Sequence, residues 1–300
     1  MMLTDEKERG MNWLTGIQNA IDYIEDHLAA EIDYEEVAKR AYCSNFYFQK
    51  LFTILCGISL GEYIRNRRLT LAGAELRAGN GKVIDVALKY GYESPESFTR
   101  AFVKFHGVTP SEVKRKGAQL KSFSRFFVKV ILSGGSVMDY KIVEKEAFTV
   151  LEKVEKFSVV NGQNLREIPK FWDRTHTDGT VETLLKYAAD EKYVFGVCYG
   201  NTTKEDPTFE YSIAVQCDEN APVPDGYRKR TLPQRTWVTF GCRGAMPDAI
   251  QALWTRITTE FFPVSEYAPT LEFEIEAYPD GDTSDENYYS EIWLPVERKN

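Results

Sequence analysis

Residues 91–110 read GYESPESFTRAFVKFHGVTP, and this stretch decides how the N-terminal half of the chain folds. Ser94 is a good helix N-cap, and Pro95 loses no hydrogen bond at the first helical position. Gly107 then predicts the end of the helix. Apolar side chains recur at helical spacing and predict one buried face. That face would hold Phe98, Ala101, Phe102 and Phe105, and the opposite face Pro95, Glu96, Thr99 and Arg100.

A short amphipathic helix precedes this one and ends at Gly91. Its apolar positions, from Val83 to Tyr90, have helical spacing. Two short helices joined by a tight glycine turn predict a helix-turn-helix, a pattern that other helical hairpins share. The residue string itself closely resembles the signature of the AraC/XylS transcription regulators. This resemblance implies an all-α DNA-binding domain.

The same pattern occurs once more upstream. Asp33 is placed to cap a helix over residues 34–41, and Ser44 to cap another that runs to about residue 55. A turn at Cys43 separates the two helices. This helix-turn-helix is predicted to bury Phe48, Leu51, Phe52 and Leu55 and to leave Asn45, Phe46, Gln49 and Lys50 outside.

A long helix from Ser59 to about Ala78 would join the two motifs into one rigid domain. Because successive major grooves lie about 34 Å apart, two recognition helices on one rod would span an asymmetric site of about 20 bp in double-stranded DNA. The family resemblance covers residues 15–117 and carries DNA contacts over to both helices. It implies Phe46, Gln49 and Lys50 on the first and Glu96, Thr99 and Arg100 on the second.

Side-chain chemistry suggests a partner for several of these residues. Arg100 can fork onto guanine and Gln49 onto adenine, while Lys50 can reach a base or a phosphate. Phe46 would pack against a thymine methyl group. Lys50 stands where the family often has arginine, and Glu96 is acidic in the groove, so the target sequence stays open. The simpler alternative is that these side chains only solvate a helix face.

Charge divides the chain into a basic part and an acidic part. Residues 37–121 contain 15 Lys and Arg against 6 Asp and Glu, whereas residues 122–300 contain 20 against 29. The first part suits DNA phosphates, and the second would repel them. Five scattered cysteines without a Cys-x-x-Cys pair predict no metal site, and we expect no cofactor. Since no apolar run approaches the ~20 residues of a membrane span, we expect a cytoplasmic protein without membrane contacts.

The expected domain boundaries follow from these patterns. The linker contains a β-rich stretch over residues 121–132, predicted to be a strand docked on one domain, and a hinge at Gly134-Gly135-Ser136. We expect a leader over residues 1–14, a DNA-binding domain over 15–118, a linker over 119–137 and a C-terminal domain over 138–300.

The elements of the C-terminal domain occur in the same order twice. Each copy is predicted to have two strands, a helix that carries Trp172 or Trp254, and two further strands. Residues 194–199 match residues 273–278 at an offset of 79, as do Tyr211-Ser212-Ile213 and Ser290-Glu291-Ile292. Two copies about a pseudo-twofold predict an α+β domain with a ligand groove at their junction.

This architecture, with Ser290-Glu291-Ile292-Trp293-Leu294-Pro295, resembles the GyrI-like effector-binding domain of Rob-like and BmrR-type regulators. Strand alternation puts Glu291, Trp293 and Pro295 on one face. A carboxylate beside an indole suits a lipophilic cation, which a ring face attracts by ~0.5–2 kcal/mol. Aromatic residues at such spacing are also typical of a core. The expected ligand-binding residues are Glu291, Trp293, Trp172, Trp254, Tyr199, Tyr278 and Trp237.

We therefore expect a transcription regulator that binds DNA and senses a small lipophilic or cationic effector, with RNA polymerase as a further partner. One alternative is that the groove binds another protein. Another is that the domain is a hydrolase of strained, cyclopropane-bearing electrophiles, since some members of the effector-domain family resemble such enzymes. In that case Glu291 would activate water with help from Tyr199 or Tyr278.

Overall fold

The computed structural model describes residues 3–79, 81–114, 118–128, 137–189, 192–200, 208–270 and 272–299. The chain divides into two compact units. One contains residues 1–53 and 58–131, and the other contains residues 54–57 and 132–300. The hinge predicted at Gly134-Gly135-Ser136 lies outside the described residues.

The N-terminal unit is helical, as predicted. Its first helix already begins at Leu3, so the part of the expected leader from there on is helical. Asp33 Oδ1 accepts a hydrogen bond from Glu35 N at 2.9 Å, and Ser94 Oγ accepts one from Ser97 N at 3.2 Å, as expected for N-caps. The helices are α1 (Leu3–Asp26), α2 (Tyr34–Arg40), α3 (Asn45–Cys56), α4 (Leu60–Arg77), α5 (Val83–Lys89), α6 (Pro95–His106) and α7 (Pro110–Val113).

Both predicted helix-turn-helix motifs are present, as the pairs α2–α3 and α5–α6. Their turns are closed by the same backbone hydrogen bond, from Cys43 N to Ala38 O at 3.1 Å and from Tyr92 N to Ala87 O at 3.0 Å. Gly91 has the left-handed conformation (φ +80°) that a turn of this kind requires.

The segment after α7 is docked on the N-terminal unit, but it is not a strand. Phe123 N donates to Thr70 Oγ1 at 2.9 Å, and Arg67 Nη1 donates to Phe123 O at 2.6 Å. The Phe126 ring stacks on Tyr63 with 4.9 Å between centroids. Side chains of α4 thus supply hydrogen bonds that a neighbouring strand would otherwise provide. We call residues 118–128 the connector.

The C-terminal unit is an antiparallel sheet with three α-helices among its described residues. Short 3₁₀ and π turns lie at Val160–Gly162 and Ile257–Phe261. The strands are β1 (Tyr140–Lys145), β2 (Phe148–Ser158), β3 (Val194–Tyr199), β4 (Thr208–Cys217), β5 (Arg228–Leu232), β6 (Arg235–Arg243), β7 (Tyr267–Pro269), β8 (Phe273–Tyr278) and β9 (Tyr289–Arg298), and the helices are α8 (Gln163–Thr177), α9 (Thr180–Leu185) and α10 (Asp248–Arg256).

The order of the strands confirms the predicted duplication. The sheet runs β1-β6-β9-β8-β3-β4-β2-β5, with β7 added beside β9. If β1 to β4 are matched with β5, β6, β8 and β9, this order is the same from either end. The two copies therefore meet between β3 and β8, and each exchanges its first strand with the other.

The sheet is strongly curled, so that strands far apart in its order lie close together. Only residues 146 and 147 join β1 to β2, although these strands lie near opposite ends of the sheet. In a flat sheet, β2 and β6 would be about 24 Å apart, because neighbouring strands are about 4.8 Å apart. Yet the rings of Phe148 and Trp237 are 6.1 Å apart between centroids. The side chains of one face therefore fill the inside of a curled sheet.

Helices cover the outer face. Leu253 and Trp254 of α10 pack on Phe240 and Ile292, which alternate with inward-facing residues along their strands. Phe171 of α8 packs on the outer face in the same way through Phe157 of β2. The inner face is formed by Phe148, Val150, Tyr193, Phe195, Val197, Tyr199, Ala214, Leu232, Trp237, Phe273, Ile275, Ala277 and Trp293.

Candidate functional site

The second recognition helix, α6, has the two faces predicted from its sequence. Phe98 and Phe102 are fully buried in the core of the N-terminal unit. Ala101 and Phe105 are half-buried at its edge. On the opposite face, Glu96 and Arg100 are exposed and Pro95 and Thr99 are half-buried.

The first recognition helix, α3, differs from the prediction. Asn45, Phe46 and Gln49 were expected outside, but they are buried, and Lys50 is half-buried. Leu55, expected in the core, is 37% exposed. The helix is apolar on nearly all sides, so its spacing did not single out one buried stripe.

Hydrogen bonds account for the inward position of the two amide side chains. Gln49 Nε2 donates to Asn45 Oδ1 at 2.8 Å, and Asn45 Nδ2 donates to Glu35 Oε1 at 3.1 Å. The chain of amides ends on a carboxylate of α2, which satisfies polar groups that would otherwise be costly to bury.

The seven expected effector residues lie on two opposite faces of the sheet and do not form one site. The inner face carries Glu291 and Trp293, with Trp237 and Tyr199 in the same layer of side chains. The outer face, which the helices cover, carries Trp172, Trp254 and Tyr278. The prediction of a single aromatic wall was therefore wrong.

A one-residue error in the sequence offset explains this division. At an offset of 79, Tyr199 is equivalent to Tyr278. The structure pairs Tyr199 with Phe273 and Val194 with Tyr278. Paired residues of neighbouring strands share a face, so Tyr199 and Tyr278 point to opposite sides, as a shift by one residue requires.

On the inner face, Glu291 lies among three aromatic side chains. Its Oε1 accepts a hydrogen bond from Tyr289 Oη at 2.7 Å, and its Oε2 accepts one from Trp293 Nε1 at 2.6 Å. Tyr193 packs edge-on against Trp293, with 5.6 Å between ring centroids. Burial, and next the hydrogen bond to Glu291, raise the pKa of Tyr289. We call Glu291, Tyr193, Tyr289 and Trp293 the Glu291 box.

Each ring of the Glu291 box already holds a basic side chain of the protein. Lys145 Nζ lies 3.8 Å from the centroid of Trp293, and Lys192 Nζ lies 4.6 Å from that of Tyr193. The guanidinium of Arg243 lies 5.2 Å from the centroid of Tyr289. All three distances are within the range of cation–π attraction. The box is thus a carboxylate with ring faces that attract cations.

Tyr199 belongs to a different cluster on the inner face. Its hydroxyl donates to Glu152 Oε2 at 2.7 Å, and Glu152 is fully buried. Arg228 donates hydrogen bonds to both Glu152 and Glu210. The guanidinium carbon of Arg230 lies 3.7 Å from the centroid of the Tyr199 ring. Hydrogen bonds from Arg228 lower the pKa of Glu210 to about 2. The protein's own arginines therefore already pair these carboxylates.

The outer face holds a second carboxylate with aromatic neighbours. Glu276 accepts hydrogen bonds from Trp254 Nε1 at 2.8 Å and from Tyr278 Oη at 3.0 Å. Trp172 packs edge-on against Tyr278 at 5.3 Å and donates to Tyr211 Oη at 2.9 Å. This outer-face cluster contains three of the five predicted residues that the Glu291 box lacks.

Comparison with known proteins identifies both units. The family model described as "Integron-associated effector binding protein" matches residues 141–296, and "Helix-turn-helix domain" matches residues 37–116. The regulatory protein SoxS of Salmonella typhimurium is 37% identical over 100 residues, which are 33% of this chain and 94% of SoxS. The chain is an AraC-type transcription regulator with a GyrI-like effector-binding domain.

Further relatives of this regulator match one unit each. The multiple antibiotic resistance protein MarA of Escherichia coli is 33% identical over 106 residues, which are 35% of the regulator and 84% of MarA. The solved structure of SAV2435 bound to tetraphenylphosphonium covers 53% of the regulator and 94% of its own chain, with 28% identity and a TM-score of 0.47.

Sequence reasoning missed several residues of the regulator's candidate sites. Tyr289 precedes Glu291 by two positions, so strand alternation alone would have placed both on one face. The same rule would have found Glu276 beside Tyr278. Tyr193 and Lys145 lie at the ends of strands from the other copy, and no local pattern connects them to Glu291.

The described part of the regulator has neither a metal site nor a membrane-spanning helix. Its side chains include no group of three or more His, Cys, Asp or Glu residues that could hold a metal ion. Its helices include none that is both long and apolar enough to span a membrane.

Proposed function

We propose that this regulator binds an asymmetric DNA site of about 20 bp and responds to a lipophilic organic cation held by the Glu291 box. That it is a DNA-binding transcription regulator with an effector-binding domain follows from its family. The arrangement that supports a cationic effector is a half-exposed carboxylate among three rings, each of which already attracts a basic side chain.

For DNA, the proposal assigns base contacts to Glu96, Thr99 and Arg100 of α6. Arg100 is exposed and carries the forked guanidinium that pairs with guanine. On α3, Lys50 is assigned a base or phosphate contact. Contacts from Phe46 and Gln49 require both side chains to leave their buried positions.

The test of the DNA contacts begins with the cognate site, obtained by sequencing DNA fragments that the purified regulator retains. Arg100→Ala should weaken binding to that site by about 1–3 kcal/mol and leave binding to unrelated DNA nearly unchanged. Lys104→Ala is the control, because Lys104 is an exposed cation in the last turn of the same helix. Equal losses on cognate and unrelated DNA would mean that Arg100 contacts only phosphate.

For the effector, the proposal assigns charge recognition to Glu291 and stacking to Trp293, with Tyr193 and Tyr289 as further walls. Tetraphenylphosphonium is a suitable probe, and triphenylphosphine oxide is a neutral counterpart of similar shape. Glu291→Gln keeps the side-chain size but removes its charge. It should weaken phosphonium binding by about 1–2 kcal/mol, since a partly screened ion pair is lost, and change phosphine oxide binding much less.

Glu276→Gln is the matched control for this experiment, because Glu276 has the same kinds of hydrogen-bond donors on the opposite face. Calorimetric titration of the full chain with both probes measures the affinities. If Glu276→Gln weakens phosphonium binding and Glu291→Gln does not, the effector site is the outer-face cluster. Matched losses for the charged and neutral probes would exclude the ion pair.

The geometry does not support the hydrolase alternative as the sequence suggested it. Tyr199 donates its hydroxyl hydrogen to Glu152, and Tyr278 lies on the opposite face from Glu291. Neither tyrosine is therefore placed to assist Glu291 as an acid or a base. Contact with RNA polymerase and binding of another protein stay predictions.

A further inference from the structure

Lys145 makes the closest of the three cation–π contacts in the Glu291 box. It is the last residue of β1, is half-buried, and lies with its ammonium nitrogen 3.8 Å from the centroid of Trp293. The same nitrogen is 5.3 Å from the centroid of Phe148. Two ring faces at the strand end thus hold one ammonium group.

This position is the one that an organic cation in the box would take. A cation that stacks on a ring face is attracted further by a nearby carboxylate. Trp293 provides both, because its ring N–H donates to Glu291. Lys192 and Arg243 lie over the other two rings at longer distances and are both exposed. Lys145 therefore competes most directly with an added cation.

We propose that Lys145 is a built-in competitor of the effector, whose ammonium group occupies the Trp293 face until a cation displaces it. The inference rests on the proposed effector site and adds what sets its selectivity. An effector must bind the ring face more tightly than the tethered ammonium does, so large aromatic cations bind and small, well-hydrated ammonium ions do not. The flexible stem of lysine lets the ammonium withdraw into water at low cost.

Displacement of Lys145 by an effector also affects strand β1. It ends β1, the first strand after the connector in the sequence, and β1 pairs with β6 along a single edge among the described strands. Residues 140–142 and Glu144 are exposed, and Val143 is the other inward-facing residue of β1 that packs against the inner core. When the effector displaces Lys145, β1 loses the contact of its last side chain with the inner face.

Substitution of Lys145 tests the proposal in the full-length protein. Lys145→Met should increase tetraphenylphosphonium affinity by about 2- to 30-fold, the equivalent of one cation–π contact, and triphenylphosphine oxide affinity by a smaller factor, because the ammonium covers the ring face against both probes but repels only the cation. Lys145→Arg should keep the wild-type affinity or lower it, since arginine also stacks on indole. Lys141→Met is the control, because Lys141 is an exposed cation on the same strand.

Each other outcome contradicts the proposal in its own way. Equal gains in Lys145→Met and Lys141→Met would mean a general effect of net charge. Equal gains for the charged and neutral probes would mean that methionine only adds apolar surface. A gain in Lys145→Arg would mean that the size of the side chain matters and its charge does not.

Glu291→Gln, measured alongside, separates this inference from the proposed function. If Glu291→Gln weakens phosphonium binding but Lys145→Met does not strengthen it, the site is correct and the competitor is wrong. If Glu291→Gln has no effect, the effector site itself is wrong. Far-ultraviolet circular dichroism of each variant establishes that it is folded before it is titrated.

Discussion

His106 is buried at the end of α6 and uses both ring nitrogens. Nδ1 accepts a hydrogen bond from Lys121 N at 3.2 Å, so Nε2 carries the hydrogen and donates to Leu69 O at 3.0 Å. The ring lies 4.3 Å from that of Phe102 between centroids. One neutral imidazole thus joins α4, α6 and the connector.

This geometry makes the N-terminal unit less stable in acid. Burial lowers the pKa of His106 below its ordinary value of 6.5. Between the two pKa values the unfolded chain binds more protons, so the contribution of His106 is complete above about pH 6.5 and is lost as the pH falls. Protonation of Nδ1 also removes the lone pair that accepts the hydrogen bond from Lys121 N.

We predict that His106→Phe, which keeps an aromatic ring, lowers the free energy of unfolding by about 1–3 kcal/mol near pH 7.5, because it leaves two backbone groups without partners. Near pH 5.5 the difference from wild type should shrink. Urea unfolding of both proteins at the two pH values measures it. A difference that does not change with pH would mean that folding does not lower the pKa of His106.

At the scale of secondary-structure elements, the sequence predicted the order and ends of the elements better than which face of each element points inward. The caps at Asp33, Ser44 and Ser94 were predicted from single residues, since a capping hydroxyl or carboxylate acts within one turn. The inward face of α3 could not be predicted in this way. It depends on Glu35 of a neighbouring helix, which bonds Asn45.

In the duplicated C-terminal unit, too, the sequence did not predict which face of every strand points inward. The offset of 79 holds for β4 and β9, where Ala214 and Trp293 both point inward, but not for β3 and β8. Because β3 is apolar on both faces, sequence similarity cannot detect a one-residue shift between it and β8, whereas strand pairing fixes the register. The motif around Glu291 was therefore correctly oriented, as was Tyr199 of β3, whereas the aromatic residues assigned to it from β8 and the helices lie on the outer face.

At the scale of the whole molecule, the two units have the features of independent folding units. The sheet of the C-terminal unit curls around its own aromatic core, and a single family model covers residues 141–296. The proposed DNA contacts lie in one unit and the proposed cation site in the other. An effector can therefore change DNA affinity only if the effector and DNA each bind one arrangement of the chain more tightly than another.

This linkage gives a prediction that compares the whole chain with a part. The fragment 138–300 should fold and bind tetraphenylphosphonium as tightly as the full chain does without DNA, because the Glu291 box lies entirely within it. In the full chain, saturating cognate DNA should change the phosphonium affinity by the same factor by which phosphonium changes the DNA affinity. Calorimetry of the fragment and of the full chain, with and without DNA, measures both factors. If the fragment unfolds, the two units depend on each other for stability; if DNA leaves the phosphonium affinity of the full chain unchanged, the cation is bound without being sensed.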